Sequence, residues 1–157
     1  MRRSARRAGA PFAPVVVGAV VIMLVLSGCS SAVDVRLPGA AGSAACGAAG
    51  AQWPVEVGGL ATVETDPSDP AVHAWGEPAV VARCGVPALG PTTDDCVVVD
   101  GVDWVAEDLD DGTRLTTFGR DPAIEVLVPD AHGPAPLLLP AFAEAAAELP
   151  RNDLACT

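Results

Sequence analysis

"CVVVDGVDWV", Cys96 to Val105, is the stretch whose reading decides the fold. Asp100-Gly101 stands between two apolar runs, and a two-residue type I′ turn needs positive φ at both central positions, which Asp tolerates and Gly adopts freely. The valines on either side favour extended chain. A two-residue loop then fixes the register, setting Val99 opposite Val102, Val98 opposite Asp103 and Val97 opposite Trp104. Val97, Val99, Val102 and Trp104 therefore share one face, assigned to the core, and Asp103 lies on the other.

Outward from the hairpin the same reasoning predicts two further strands, "TRLTTF" (Thr113 to Phe118) and "AIEVLV" (Ala123 to Val128), joined through Gly119-Arg120-Asp121-Pro122. In the second, Ile124, Val126 and Val128 alternate with Glu125. Upstream, "PAVVARC" (Pro78 to Cys84) is strand-like, "DPSDPAVHAW" (Asp66 to Trp75) reads as turn from its two Asp-Pro pairs, and "VEVGGLATVET" (Val55 to Thr65) reads as one loosely patterned strand. A helix is predicted from Ser43 to Ala51, ended by Gly50 and Pro54. A second is predicted from Leu139 to Leu149, with Pro140 in its first turn and Pro150 as its stop. Its buried stripe is Phe142, Ala145, Ala146 and Leu149, with Glu144 and Glu148 in water. The expected fold class is α+β: a small antiparallel sheet of about four strands, an N-terminal and a C-terminal helix, and two disulfides.

The start of the chain differs from the rest. Four of the nine arginines (Arg2, Arg3, Arg6, Arg7) precede an apolar run from Val15 to Leu26, while all 20 Asp and Glu follow Cys29. With the five remaining arginines, the segment from Cys29 onward carries a formal charge of −15. Arginine cluster, apolar stretch and small residues are the three parts of an export signal. Twelve apolar residues fall short of the roughly 20 that span a bilayer, so a permanent transmembrane anchor is the weaker reading. Leu26-Ser27-Gly28-Cys29 resembles the lipobox of bacterial lipoproteins, in which the cysteine receives a diacylglycerol by thioether linkage and becomes residue one. Ordinary secretion, with cleavage near Ser43-Ala44-Ala45, is the alternative. The expected organisation is residues 1–28 as lipoprotein signal peptide, 29–43 as a flexible tether of roughly 20 Å reach, and 44–157 as the exported domain on the outer face of the cytoplasmic membrane. Its acidity excludes nucleic acid as a partner.

Five cysteines with one on lipid leave Cys46, Cys84, Cys96 and Cys156, an even set suited to pairing outside the cell. Four cysteines allow three connectivities. Cys84 ends one predicted strand and Cys96 begins the next, so the layout favours Cys84 with Cys96, and Cys46 with Cys156.

Several stretches in order resemble an uncharacterised family of small exported actinobacterial proteins, the domain of unknown function 3515. They are "AAC" at 44 to 46, "AWGEPAVVARCGVP" at 74 to 87, "VDGVDW" at 99 to 104 and "TTFGRDPAIEVLVP" at 116 to 129. Asp100 stands where the family's turn has Asn, and Trp53-Pro54 where Leu-Pro is usual. The resemblance implies no activity, and the lack of lysine with a bias to Ala, Gly, Pro and Arg fits a high-GC source.

Residues able to do chemistry are few. Ser68 lacks the glycines of a nucleophile elbow and reads as a turn serine. His73 and His132 have no paired metal spacing, although they could meet Asp130 in space. The acidic run containing Asp103, Glu107, Asp108, Asp110 and Asp111 misses an EF-hand's middle ligand and reads as a solvated hairpin end. Of Trp53, Trp75 and Trp104, the Trp75 loop beside Gly76 and Pro78 is the candidate binding surface, with Arg83 and Arg120 as further candidates or as structural ion pairs. No catalytic residue, metal or cofactor is assigned. The expected function is a membrane-anchored, non-catalytic accessory or interaction lipoprotein of the cell envelope, with an envelope protein as possible partner. The alternative is an envelope hydrolase acting on wall or lipid material, with His73 or His132 as base.

Overall fold

A computed structural model describes residues 32–157. The expected signal peptide, residues 1–28, and Cys29 lie outside the described residues. The central element is an antiparallel sheet of eight strands: β2 (Glu56–Val57), β3 (Leu60–Val63), β5 (Val72–Trp75), β6 (Val80–Val86), β10 (Ala123–Pro129), β9 (Gly112–Phe118), β8 (Val102–Leu109) and β7 (Cys96–Val99), in that spatial order. A separate parallel pair joins β1 (Val33–Asp34) to β4 (Thr65–Asp66). The helices are short, α1 (Ala44–Gly50) and α2 (Ala143–Ala147), with 3-10 helix over Asp130–His132 and Ala135–Phe142.

The expected α+β class with about four strands is therefore corrected to a mostly β fold. Three local causes explain the shortfall. Gly58 and Gly59, both at positive φ, turn the supposed single strand into the β2–β3 hairpin. The Asp-Pro segment ends its turn at Pro70, and Val72 to Trp75 continue as a strand paired on both sides. Pro140 has no N–H, so the predicted C-terminal helix winds as 3-10 through Phe142 and is α-helical for only five residues. Its buried stripe is as expected, with Phe142, Ala145, Ala146 and Leu149 all buried. Helix α1 is also where it was predicted, its N-cap Ser43 accepting a hydrogen bond from Cys46 N.

The β7–β8 hairpin has the predicted register, Val99 with Val102, Val98 with Asp103 and Val97 with Trp104. Asp100 and Gly101 have φ of 48° and 75°, as a type I′ turn requires. Trp104 is fully buried, while Val98, on the opposite face, is 60% exposed.

Two meanders build the sheet. One runs β2–β3–β5–β6; the other starts at the far edge with β7 and returns through β8 and β9 to β10, which pairs with β6. Strands β6 and β7 are thus separated by three others, and Cys84 cannot meet Cys96. The expected pairing is corrected to Cys46–Cys84, which staples α1 to the middle of the sheet, and Cys96–Cys156, which ties the C-terminal tail to the edge strand.

The segment expected to be a flexible tether is another correction. Val33 N donates to Glu64 O (2.8 Å), Val35 N to Asp66 O (2.9 Å) and Ala40 N to Gly85 O (3.1 Å). Val35 is buried. A side chain at Gly85 would strike Ala41 N at 2.4 Å, so glycine there is what lets this segment lie against β6. The chain is already paired into the body at β1, which starts eleven residues before the expected boundary at residue 44.

The disulfides close segments of 38 and 60 residues, and chain entropy gives each about 4 kcal/mol. Peptide mapping without reduction is expected to recover the Cys46–Cys84 and Cys96–Cys156 peptides. The double substitution Cys96→Ser, Cys156→Ser is expected to lower the unfolding free energy by about 4 kcal/mol in urea titration.

Candidate functional site

Beyond Val63, which pairs with Ala74, β3 leaves β5 and the chain turns away as β4 to meet β1. The divergence opens a cleft of about 670 Å³ whose lining includes Trp53, Thr62, Glu64, Ser68, Asp69 and His73. A slightly larger hollow, about 730 Å³, lies beneath the 89–95 loop and is bordered by Thr92, Asp94, Asp95, Glu107 and Thr116. It holds neither an aromatic ring nor a histidine, so the His73 cleft is the better candidate.

One wall is rigid. Trp53 donates its indole N–H to Pro70 O (2.9 Å) and stacks edge-on against Trp75 and Phe142, with ring centroids 6.5 Å away in each case. Trp75 is fully buried, 5.4 Å from Phe142, and donates its own N–H to Pro54 O (2.9 Å). The expectation that its loop displays the indole is corrected: alternation along β5 puts Trp75 on the core face, and Trp53 borders the cleft instead. The lining also carries carboxylates. Asp69 Oδ1 accepts from Ala71 N (2.8 Å), closing the turn into β5, and Glu64 is exposed.

His73 stacks on Trp75 at 4.7 Å, and its Nε2 is buried without a hydrogen-bond partner. Burial lowers its pKa from the ordinary 6.5, keeping the imidazole neutral. Among the described residues no hydrogen bond joins it to Ser68 or Asp69. His132 uses Nε2 on the carbonyl of Pro78. Nothing brings the two histidines to one centre with Asp130.

Both candidate arginines have structural partners. Arg83 Nε lies 2.6 Å from Glu125 Oε1, and Arg83 Nη1 donates to Arg36 O (3.2 Å). Arg114 Nε approaches Glu125 Oε2 at 3.3 Å as an unaligned ion pair, while its Nη1 donates to Glu107 Oε2 (2.8 Å). Glu125, only 7% exposed, is thus the hub of a charged ladder across β6, β10, β9 and β8. Arg120 is buried and donates to Leu149 O (2.8 Å) just past α2. Burial, then the positive charge of Arg151, lowers its pKa, and Asp103 opposes both.

Within the acidic run, Asp103 accepts from Cys156 N (3.2 Å), Glu107 is paired with Arg114, and Asp108, Asp110 and Asp111 are exposed. Among the described residues no group of three or more His, Cys, Asp or Glu is placed to hold a metal ion. Sequence reasoning missed Glu64, Asp69 and the role of Glu125. A carboxylate alternating with Ile124 and Val126 in a strand was the signal available for the last.

Fold and site together define a small disulfide-stapled β-sheet domain with a polar, acidic cleft walled on one side by indole. The chain belongs to the family described as "Protein of unknown function (DUF3515)", which matches residues 11–153. No curated protein matches the chain, and no solved structure does.

Glu125→Ala strips two arginines of their common carboxylate, and because both reach solvent the expected loss is about 2 kcal/mol rather than the larger cost of a fully buried charge. Chemical denaturation of the variant measures it. For His73, the folded state binds a proton less readily than the unfolded chain. Its contribution to stability is whole above about pH 6.5 and is lost as pH falls through that value toward the lowered folded pKa. His73→Gln is therefore expected to flatten the fall in melting temperature between about pH 7.5 and pH 5; an unchanged slope would refute the assignment.

Proposed function

We propose that the protein is a lipoprotein of the actinobacterial cell envelope, anchored through Cys29 to the outer face of the cytoplasmic membrane and acting there as a non-catalytic accessory or interaction domain. The observation that carries this reading is a count. Five cysteines are present, four pair with one another, and the fifth is the one that follows Leu26-Ser27-Gly28 at the end of the apolar run. Two disulfides suit an oxidising compartment, and two acyl chains on one sulfur provide stable residence in a bilayer. Among the described residues no helix is long and apolar enough to cross a membrane.

The interaction role draws support from the cleft, which offers walls and polar groups but no aligned nucleophile and base. An envelope hydrolase is the second reading, because Ser68, Asp69 and His73 border the same cleft. It is the weaker one. A serine nucleophile needs a base within hydrogen-bond reach, and the imidazole Nε2 is enclosed beside Trp75 instead.

Cys29→Ser is expected to abolish incorporation of labelled palmitate and to leave the precursor unprocessed in its native host, as read by intact mass. A variant that still takes up palmitate at the wild-type level would overturn the anchor.

A further inference from the structure

Resting on the Cys29 anchor, we propose that the cleft between Trp53, Glu64, Asp69 and His73 faces the bilayer and holds the ammonium group of a lipid headgroup. Three observations converge on it.

The leash is short. Val33, the first residue of β1, hydrogen-bonds through its N–H to the carbonyl of Glu64, a residue lining the cleft. Cys29 is four residues earlier, and four extended residues reach at most about 14 Å. Headgroups occupy roughly 6 Å of each leaflet, so a lipid on Cys29 keeps the cleft mouth beside the headgroup layer. The sheet agrees with this orientation. The cleft sits at the strand end that holds the start of β5, while Asp108, Asp110 and Asp111 crown the opposite end, where Leu109 pairs with Gly112.

Charge selects the headgroup. Among the described residues no arginine lines the cleft, and neither Glu64 nor Asp69 is in any ion pair. One Asp69 oxygen closes its turn and the other is uncommitted. Asp34 and Asp66 on the adjoining β1–β4 pair add negative potential, so an anionic headgroup is repelled and a cation drawn in.

The third observation is the wall itself. Trp53 is clamped through its N–H and lines the cleft, so its indole is a preorganised aromatic group for a cation. Its neighbour His73, neutral by burial, adds no competing positive charge.

The test uses the native lipidated protein in vesicles of equimolar phosphatidylethanolamine and phosphatidylglycerol. A water-soluble carbodiimide joins carboxylate to primary amine as an amide, the lost water converting the reagent to its urea. Phosphatidylethanolamine adducts are expected on Glu64 and Asp69, in excess of Asp34 and Asp66 outside the cleft, and about tenfold above Asp108, Asp110 and Asp111 at the far end. Inserting about twelve Gly and Ser residues between Ser31 and Ala32 is expected to cut the Glu64 and Asp69 adducts several-fold. The same digest reports the mass of the Cys29 peptide. Absence of acyl groups there brings down the anchor. Acylated Cys29 with adducts spread evenly over exposed carboxylates, with none at all, or unaffected by the insertion, overturns the cleft proposal alone.

Discussion

The pairing of β6 with β10 is the contact on which the rest of the structure depends. Each meander alone is a four-stranded ribbon with two bare edges, and an unpaired edge is open to the wrong partner. Joining β6 to β10 converts two of those edges into the middle of an eight-stranded sheet. The register does two jobs at once: Ala82 meets Val126 and Cys84 meets Ile124 under the helices, and Arg83 meets Glu125 on the reverse face. Through Cys84 the same strand is bonded to α1. Helical layer, core and charged ladder therefore all register on β6, and a slip of one residue would put Arg83 into the core and Ala82 against Glu125.

That pairing is long-range, which explains what could be read in the sequence and what could not. The Asp100-Gly101 hairpin was legible to the residue because its determinants lie within ten positions. Strands β9 and β10 were legible for the same reason, as was the place of α1. The partner of β6 carries no local mark, and once it was missed Cys84 was assigned to its sequence neighbour Cys96, which left Cys46 for Cys156. Gly58-Gly59 hid a hairpin because neither flank is apolar enough to stand out, and His73 hid a strand because two Asp-Pro pairs preceded it. Of the site, Trp75, Arg83 and Arg120 were picked out for their chemistry, but their roles are set by what faces them: Pro54, Glu125 and Leu149. Composition alone cannot supply those partners.

The reverse face of the sheet shows how a chain poor in aromatic residues covers surface it cannot cover with helices. Segments around Val35, the loop of Leu89 to Asp95 and the tail from Asn152 to Cys156 cross it as irregular chain. Backbone hydrogen bonds and a disulfide fix them. Backbone hydrogen bonds to β4 and Gly85 hold the first, and the Cys96–Cys156 bond holds the last. Rich in Ala, Gly, Ser and Pro, the first of these segments looks like a linker by composition. Small side chains are also what allow backbone to approach backbone closely enough for those bonds, as the contact of Gly85 with Ala41 illustrates.

The cleft follows from the same economy. Had β3 continued along β5, Glu64 would lie opposite His73 in an unbroken ladder and no opening would exist. The chain turns away there because β4 takes β1 as its partner, so the segment leading from Cys29 builds the wall that opens the cleft. Backbone bonds at Val33 and Val35 hold that wall in place, and the far wall is held by Trp53 on Pro70 and by the aromatic contacts to Trp75 and Phe142. One wall thus belongs to the N-terminal segment that follows Cys29 and the other to the core. Under the anchoring through Cys29 proposed above, tension on the segment would bear on β1 and β4, a parallel pair of two residues each, before it reached any strand of the eight-stranded sheet. The cleft is accordingly the part of the domain whose width is most exposed to how the chain is held, and the rigid indole wall is the reference against which that width is set.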